Sequence, residues 1–201
     1  MKRIMKVAAK NKKVQIRADE AKFRELMLLI ARKSEGDFRF GALKLNKILF
    51  YADFLAYLKL GKPITGQEYF ALPQGPAPKY LVPIRNKMVR DGEIAIRKRE
   101  TYTGIQDRTF ALREADVTKF SQRELGLIFE VIDSCRWKSA KRLSELTHKF
   151  AGWTLAKEKE TIPYSVALVG KRAPTHDEIK SARGLESVAA ACLGRYAAAA
   201  V

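Results

Sequence analysis

The chain has little of what metal, redox and phosphate sites are built from. It holds two cysteines, Cys135 and Cys192, and two histidines among its 201 residues. The cysteines lack the close spacing of a zinc site and are too few for a disulfide framework, so we expect a reducing compartment, the cytoplasm. There is no glycine-rich phosphate loop and no dinucleotide fingerprint. We therefore expect neither a metal nor a cofactor.

Long apolar runs are also missing. The most apolar segment, 43–58, has roughly 16 residues and three charges, whereas a membrane-spanning helix needs about 20 mostly apolar residues. The first 13 residues are basic, but no apolar run follows them, so they do not resemble a secretory signal. We expect a cytoplasmic protein that does not enter a membrane.

A convincing set of catalytic groups is absent too. Ser144 and His148 could be combined with one of several acids, but the chain has no nucleophile elbow to expose a serine. We expect no catalytic residues and no enzymatic activity. An enzyme whose pocket forms only in the folded chain stays an alternative, and titratable groups converging in a cleft would reveal it.

Acidic residues are scarce relative to basic ones. The chain has 22 aspartates and glutamates against 39 lysines and arginines, which gives a formal net charge of +17. Such a protein is attracted to nucleic acid, to anionic membranes or to acidic proteins. The charge is spread along the chain, and neither an aromatic-rich basic strand nor a helix-turn-helix pattern accompanies it. A basic nucleic-acid-binding regulator is therefore an alternative that we do not favour.

The most informative segment that is present runs from Gly41 to Gly92. Its first part, Leu43–Leu58, is apolar on almost every face, with polar residues only at Lys44, Asn46, Lys47 and Asp53. A helix of this kind must be surrounded by other parts of the protein. Gly61 and Pro63 end it. The sequence thus predicts a buried central helix.

Shorter patterns on both sides predict the rest of an α+β fold, a mainly helical bundle with a small antiparallel β-sheet. Apolar residues at helical or alternating spacing predict helices over 19–33, 79–90, 121–135 and from 139, strands over 68–72, 93–97 and 108–113, and a loop over 103–107. Residues 73–78 predict a rigid turn, and Pro76 suits the first turn of the helix after it. Ser121 with Glu124 predicts a capping box that opens the 121–135 helix, whose apolar stripe is Leu125, Ile128, Phe129 and Ile132. We expect the strand segments to contribute to one small sheet, which has two or three strands.

Several motifs occur in a characteristic order. The first group is Lys44–Asp53 (KLNKILFYAD), Gly61-Lys62-Pro63, Glu68 and Gly75-Pro76; the second is Leu143–His148 (LSELTH), Trp153 and Ile162-Pro163-Tyr164. From about residue 20 to 170 the chain resembles the Panacea domain, which occurs in SocA-like antitoxins and in phage-associated proteins. It departs from the usual Tyr-Gly-Pro-Val at the turn, where it has Gln74-Gly75-Pro76-Ala77-Pro78. The added proline suggests a stiffer turn and a different partner preference.

The resemblance implies an antitoxin of a toxin–antitoxin system. Such a protein binds a cognate toxin and blocks its action, and some relatives instead act as adaptors that deliver the toxin to a protease such as ClpXP. Neither mechanism needs a catalytic group or a cofactor. The resemblance does not name the toxin.

Seven residues are candidates for toxin binding or for the family motif: Lys47, Tyr51, Asp53, Gly75, Pro76, His148 and Trp153. The three in the central helix either pair with internal groups or reach a groove along one edge of it. The Gly75-Pro76 turn is expected to be exposed and stiff, which would reduce the entropy lost on docking. His148 either caps its short helix or satisfies a carbonyl, or else it binds the partner.

The chain divides into three predicted parts. Residues 1–18 form a basic N-terminal arm, residues 19–172 the Panacea-like domain, and residues 173–201 a C-terminal helix, opened by a capping box at Thr175–Glu178, with an alanine-rich tail.

The alanine-rich tail resembles signals that bacterial unfoldase-proteases read, and antitoxins are commonly degraded faster than their toxins. Deleting residues 195–201 should therefore lengthen the half-life of the protein in cells, measured by immunoblot after translation is stopped. A plain helical or unstructured tail is the alternative, and an unchanged decay rate in the truncated protein would support it.

Overall fold

A computed structural model describes residues 16–101 and 104–169. Within these ranges the helices are α1 Glu20–Lys33, α2 Ala42–Leu60, α3 Leu81–Arg90, α4 Gln122–Cys135, α5 Ala140–Thr147 and α6 Ala151–Leu155. The strands are β1 Tyr69–Phe70, β2 Ala77–Pro78, β3 Ile94–Thr101, β4 Gly104–Ala111 and β5 Thr161–Ile162, and two short 3-10 helices cover Val117–Lys119 and Tyr164–Leu168. The predicted α+β fold, mainly helical with a small antiparallel sheet component, is confirmed.

Helix α2 is the central element. One side of it packs in the main hydrophobic core with α1 and α4, and the other side packs in a second core rich in aromatic rings, which includes Phe50, Phe54 and Tyr164. A helix between two cores must be apolar on most faces, which explains its sequence. The helix is less completely buried than predicted, because Leu43 is 37% and Leu58 51% exposed near its two ends.

The helix ends follow local signals in the sequence. Asp19 caps α1 by accepting from the Lys22 amide, and Ser121 with Glu124 forms the predicted capping box at the start of α4. Gly61 ends α2 with a left-handed backbone, at φ +74°. Helix starts and stops were therefore readable from single residues.

The buried stripe of α4 differs from the predicted one. We expected Leu125, Ile128, Phe129 and Ile132, whereas the buried residues facing the core include Leu127, Ile128, Val131, Ile132 and Cys135. The Phe129 ring is 37% exposed and lies 5.6 Å from the Lys33 ammonium. Both stripes have helical spacing, and only the packing against α2 decides between them.

The strands form two antiparallel sheets, so the single predicted sheet was wrong. Two-residue strands make one sheet in the order β2-β1-β5, and β3 with β4 makes a separate hairpin in which Ile94 pairs with Ala111. Residues 104–107, predicted as a loop, belong to β4. Gly104 and the polar residues Gln106 and Asp107 hid the strand, because this end of the hairpin is exposed and needs no alternating apolar face.

Some predictions fall on residues outside the described ranges. These are the basic arm up to residue 15, Cys192, and the C-terminal helix and alanine-rich tail from residue 173. Among the helices that the structure does describe, none combines the length and the apolar character needed to cross a membrane.

Candidate functional site

The motif residues meet at one turn, Pro73-Gln74-Gly75-Pro76, which we call the Pro–Gly turn. Three side chains from separate helices or their ends hold main-chain carbonyls in and beside it. Trp153 Nε1 donates to Leu72 O at 2.8 Å, Ser144 Oγ to Gln74 O at 2.9 Å, and Lys47 Nζ to Pro76 O at 3.2 Å. The turn is thus fastened to α2, α5 and α6.

Gly75 is required by this geometry. Its φ of +96° disfavours other residues, and a Cβ atom there would lie 2.4 Å from Thr147 Oγ1 and 2.6 Å from Lys47 Nζ. The expected exposure of Gly75 and Pro76 was wrong: both are buried, and only Pro73 and Gln74 of the turn are exposed. They are buried because the turn lies against α2 and Thr147.

Pro76 also has a different local role from the predicted one. It does not open a helix, since the next residues form β2 and α3 begins only at Leu81. The proline in the first turn of α3 is Pro83, where the missing amide costs no intrahelical hydrogen bond.

Lys47 is a buried cation beneath the turn. Its side chain is about 1% exposed, and its ammonium contacts a carbonyl, with no carboxylate partner among the described residues. Burial lowers the pKa of Lys47 to about 8. This lysine therefore begins to lose its proton just above neutral pH.

Lys44, one helical turn before Lys47, was not singled out from the sequence but is also buried. It forms an ion pair with buried Asp37 and donates to Lys138 O at 2.9 Å. It thereby joins α2 to the segment before it and to the loop before α5. Its sequence signals were that it is one of the few polar residues in an apolar helix and the first residue of the KLNKILFYAD motif.

Asp53 lies elsewhere, fully buried on α2. Its carboxylate accepts from the Thr65 amide at 2.7 Å, from the Thr65 hydroxyl at 2.5 Å and from the Tyr69 hydroxyl at 2.8 Å. Burial raises the pKa of Asp53, and these hydrogen bonds oppose the increase. Asp53 fastens the 64–69 segment to α2 and does not reach a groove.

Tyr51 lies between the two hydrophobic cores and packs against both. Burial raises its pKa to about 12, with a smaller effect from Cys135. Like Asp53, it lies apart from the Pro–Gly turn.

His148 and Trp153 form a stacked pair. Their ring centroids are 3.9 Å apart with an angle of 16° between the planes. His148 occupies the C-cap position of α5, where its main-chain amide donates to Ser144 O at 2.9 Å, and its Nε2 has no hydrogen-bond partner in the described part of the chain. Since Trp153 is bonded to Leu72, the stack places the histidine ring beside the turn.

The candidate Ser–His pair does not assemble. Ser144 Oγ donates to a main-chain carbonyl, and the His148 ring stacks on Trp153. Across the described ranges, no group of three or more histidine, cysteine or acidic side chains is arranged to hold a metal.

An open groove with a volume of about 1020 Å³ runs beside the exposed half of the turn. We call it the hairpin groove. It is lined by Phe38, Arg39, Leu43, Pro73, Gln74, Arg99, Glu100, Thr101, Gln106, Ser139, Ala140, Lys141, Ser144 and His148. The walls therefore come from the 38–43 segment, the Pro–Gly turn, the hairpin and α5.

The structure sorts the seven predicted residues into two groups. Lys47, Gly75, Pro76, His148 and Trp153 meet at the Pro–Gly turn, and Tyr51 and Asp53 do not. Among the seven, only His148 also lines the groove. Of the other groove residues, Pro73 and Gln74 belong to the predicted turn and Ser144 to the LSELTH motif, and the rest come from segments without a motif.

Comparisons with known proteins give one match. A sequence model of the family described as antitoxin SocA-like, Panacea domain, matches residues 45–154. No curated protein and no solved structure matches the chain.

Proposed function

The chain belongs to the SocA-like antitoxin family with the Panacea domain, and we propose that it neutralises a cognate toxin by direct protein–protein binding. The family match carries the proposal. It covers most of α2, the Pro–Gly turn, the β3–β4 hairpin, α5 and the His148–Trp153 stack, so it includes the walls of the hairpin groove except the 38–43 segment. Binding would not require a reaction, and we propose that the protein is not an enzyme.

The geometry of the motif residues supports a binding role. Lys47, Ser144 and Trp153 are used to hold main-chain carbonyls, which fixes the turn at one wall of the groove. A preformed wall reduces the entropy that association would cost. This is the arrangement expected of a scaffold for a partner.

The experiment uses a small reading frame beside this gene whose product is toxic when expressed alone. Co-expression with this protein should restore colony formation, and the two purified proteins should form a complex on size exclusion. Failure of both measurements against every neighbouring toxic frame would overturn the proposal. An inactive toxin variant serves as the binding partner when the active one cannot be produced.

The same cells separate neutralisation from delivery to a protease. With direct neutralisation the toxin stays at a constant level while growth recovers. For an adaptor, the toxin would disappear in cells with ClpXP and persist in cells without it. We expect constant toxin levels, measured by immunoblot.

The net charge of +17 favours a second candidate, binding to nucleic acid. This candidate predicts affinity for a mixed DNA or RNA probe that falls steeply with salt. Rescue from the toxin without measurable probe binding near physiological salt would eliminate it.

A further inference from the structure

The hairpin groove has an uneven charge distribution. Arg99 on β3 and Lys141 on α5 line it, and neither has a carboxylate partner among the described residues. Arg39 adds a third cation, bonded to Trp137 O, and Glu100 is the one acidic side chain among the described residues of the lining. The groove therefore presents mainly positive charge to whatever enters it.

An exposed aromatic pair stands at the same place. Phe38 is 51% and Trp137 52% exposed, with ring centroids 6.4 Å apart, and the Arg39 guanidinium lies 4.8 Å from the Phe38 ring. Leu43 is a further exposed apolar residue and lines the groove with Phe38. Exposed aromatic and arginine side chains of this kind commonly supply much of the energy of protein interfaces.

Two polar atoms of the lining lack partners. His148 Nε2 and the Gln106 side-chain oxygen are shielded from solvent and make no hydrogen bond within the described ranges. One lies at the end of α5 and the other on β4. Shielded polar atoms usually have partners, so we expect each side chain to rotate toward the groove and bond an incoming chain there.

We propose, on the basis of the antitoxin function above, that the hairpin groove binds an acidic segment of the toxin that carries an apolar side chain. The carboxylates of that segment pair with Arg99 and Lys141. The apolar side chain packs against Phe38 and Leu43. The main chain of the segment satisfies His148 and Gln106.

A protein segment fits these features better than a nucleic acid. Phosphates repeat along a nucleic acid strand, so some would lie against Glu100, whereas a peptide can place a neutral or basic residue there. The unpaired atoms on the two walls suit the alternating donors and acceptors of a polypeptide main chain.

The decisive comparison is between two double variants with the same change in charge. Arg99→Glu with Lys141→Glu reverses the groove cations. Lys62→Glu with Arg123→Glu reverses two exposed cations outside the groove lining that also lack an ion-pair partner in the described part of the chain. The two pairs of substitutions lower the net charge by the same amount, so a general electrostatic effect would weaken toxin binding equally in both variants.

We expect the groove variant to bind the purified, inactivated toxin at least about tenfold more weakly than the wild type, and the control variant to stay within about twofold. Phe38→Ala should also weaken binding about tenfold. Affinity is measured by calorimetry or by the fluorescence change of exposed Trp137. Far-ultraviolet circular dichroism confirms that each variant is folded.

Each outcome has one meaning. When the wild type neither binds nor rescues, the antitoxin function itself fails. When the wild type binds and the two double variants behave alike, the function stands and the groove proposal is overturned. A single-stranded RNA of mixed sequence that binds more tightly than the toxin, and only with Arg99 and Lys141 intact, would also overturn it by assigning the groove to nucleic acid.

Discussion

Replacing Asp53 with alanine should destabilise the fold by about 3 to 5 kcal/mol, the largest effect that we expect from a single substitution. The carboxylate is fully buried and accepts three hydrogen bonds, two from Thr65 and one from Tyr69. Alanine would leave these donors without an acceptor in a place that water does not reach. The 64–69 segment would lose its attachment to α2.

Asparagine at the same position is the matched control. It has nearly the same shape, and its oxygen can still accept from the Thr65 amide, while the two hydroxyl groups can turn to accept from its NH2 group. We expect Asp53→Asn to cost about 1 to 2 kcal/mol. The difference in unfolding free energy between the alanine and asparagine variants separates the effect of lost hydrogen bonds and volume from that of the lost carboxylate charge.

The measurement is urea unfolding near pH 7, followed by circular dichroism and by tryptophan fluorescence. If Asp53→Ala is too unstable to purify, Thr65→Val removes one of the donors and should cost about 1 kcal/mol by itself. An alanine variant within about 1 kcal/mol of the wild type would show that the cluster does not hold the segment in place.

The fold was largely predictable because its main determinants are local. An apolar run that is too short for a membrane has to be buried, and a single residue such as Asp19, Ser121 or Gly61 fixes where a helix begins or ends. The sheets were less predictable. Two-residue strands carry no periodicity, and the exposed end of the β3–β4 hairpin needs no apolar face.

The site was predictable in part. The candidate residues could be chosen because the motifs come in a recognisable order, and five of the seven meet at the Pro–Gly turn. The hairpin groove could not be foreseen, because Arg99, Phe38 and Lys141 come from separate segments that only tertiary packing brings together. For Asp53 the sequence left an internal role and a groove-facing role open, since a buried carboxylate in a structural cluster and one near a groove look alike in sequence.

Two lysines of α2 show how one helix fastens different loops. Lys44 is neutralised by Asp37, so its burial is compensated by an ion pair. Lys47 has a carbonyl and no carboxylate among the described residues, so its charge is held at a cost to stability. The cost falls at the Pro–Gly turn, where the motif residues meet.

Replacing Lys47 with methionine should therefore change how stability depends on pH. Burial lowers the pKa of Lys47 to about 8 in the folded state, against 10.5 for an ordinary lysine. Between these values the unfolded chain binds a proton that the folded chain has lost, so raising the pH stabilises the wild type. A pKa difference of this size corresponds to about 3 kcal/mol.

The methionine variant lacks this titration, so its stability relative to the wild type should fall by about 3 kcal/mol as the pH rises from about 8 to about 10.5. At neutral pH the variant should be the more stable protein, provided that losing the bond to Pro76 O costs only about 1 kcal/mol. Other groups that titrate here, such as Cys135 with its pKa raised by burial to about 11, are common to both proteins and cancel in the difference.

Urea unfolding at a series of pH values gives the difference curve, and Lys62→Met, at an exposed lysine, is the control for the loss of a surface cation. A flat curve for Lys47→Met would mean that Lys47 has the same pKa in the folded and the unfolded chain, so that burial beneath the Pro–Gly turn does not disfavour its charge. A sloping curve would instead show that the buried Lys47 ammonium beneath the turn lowers the stability of the folded protein. The affinity for the toxin, measured over the same pH range, would then report whether the ionisation of Lys47 affects binding at the hairpin groove.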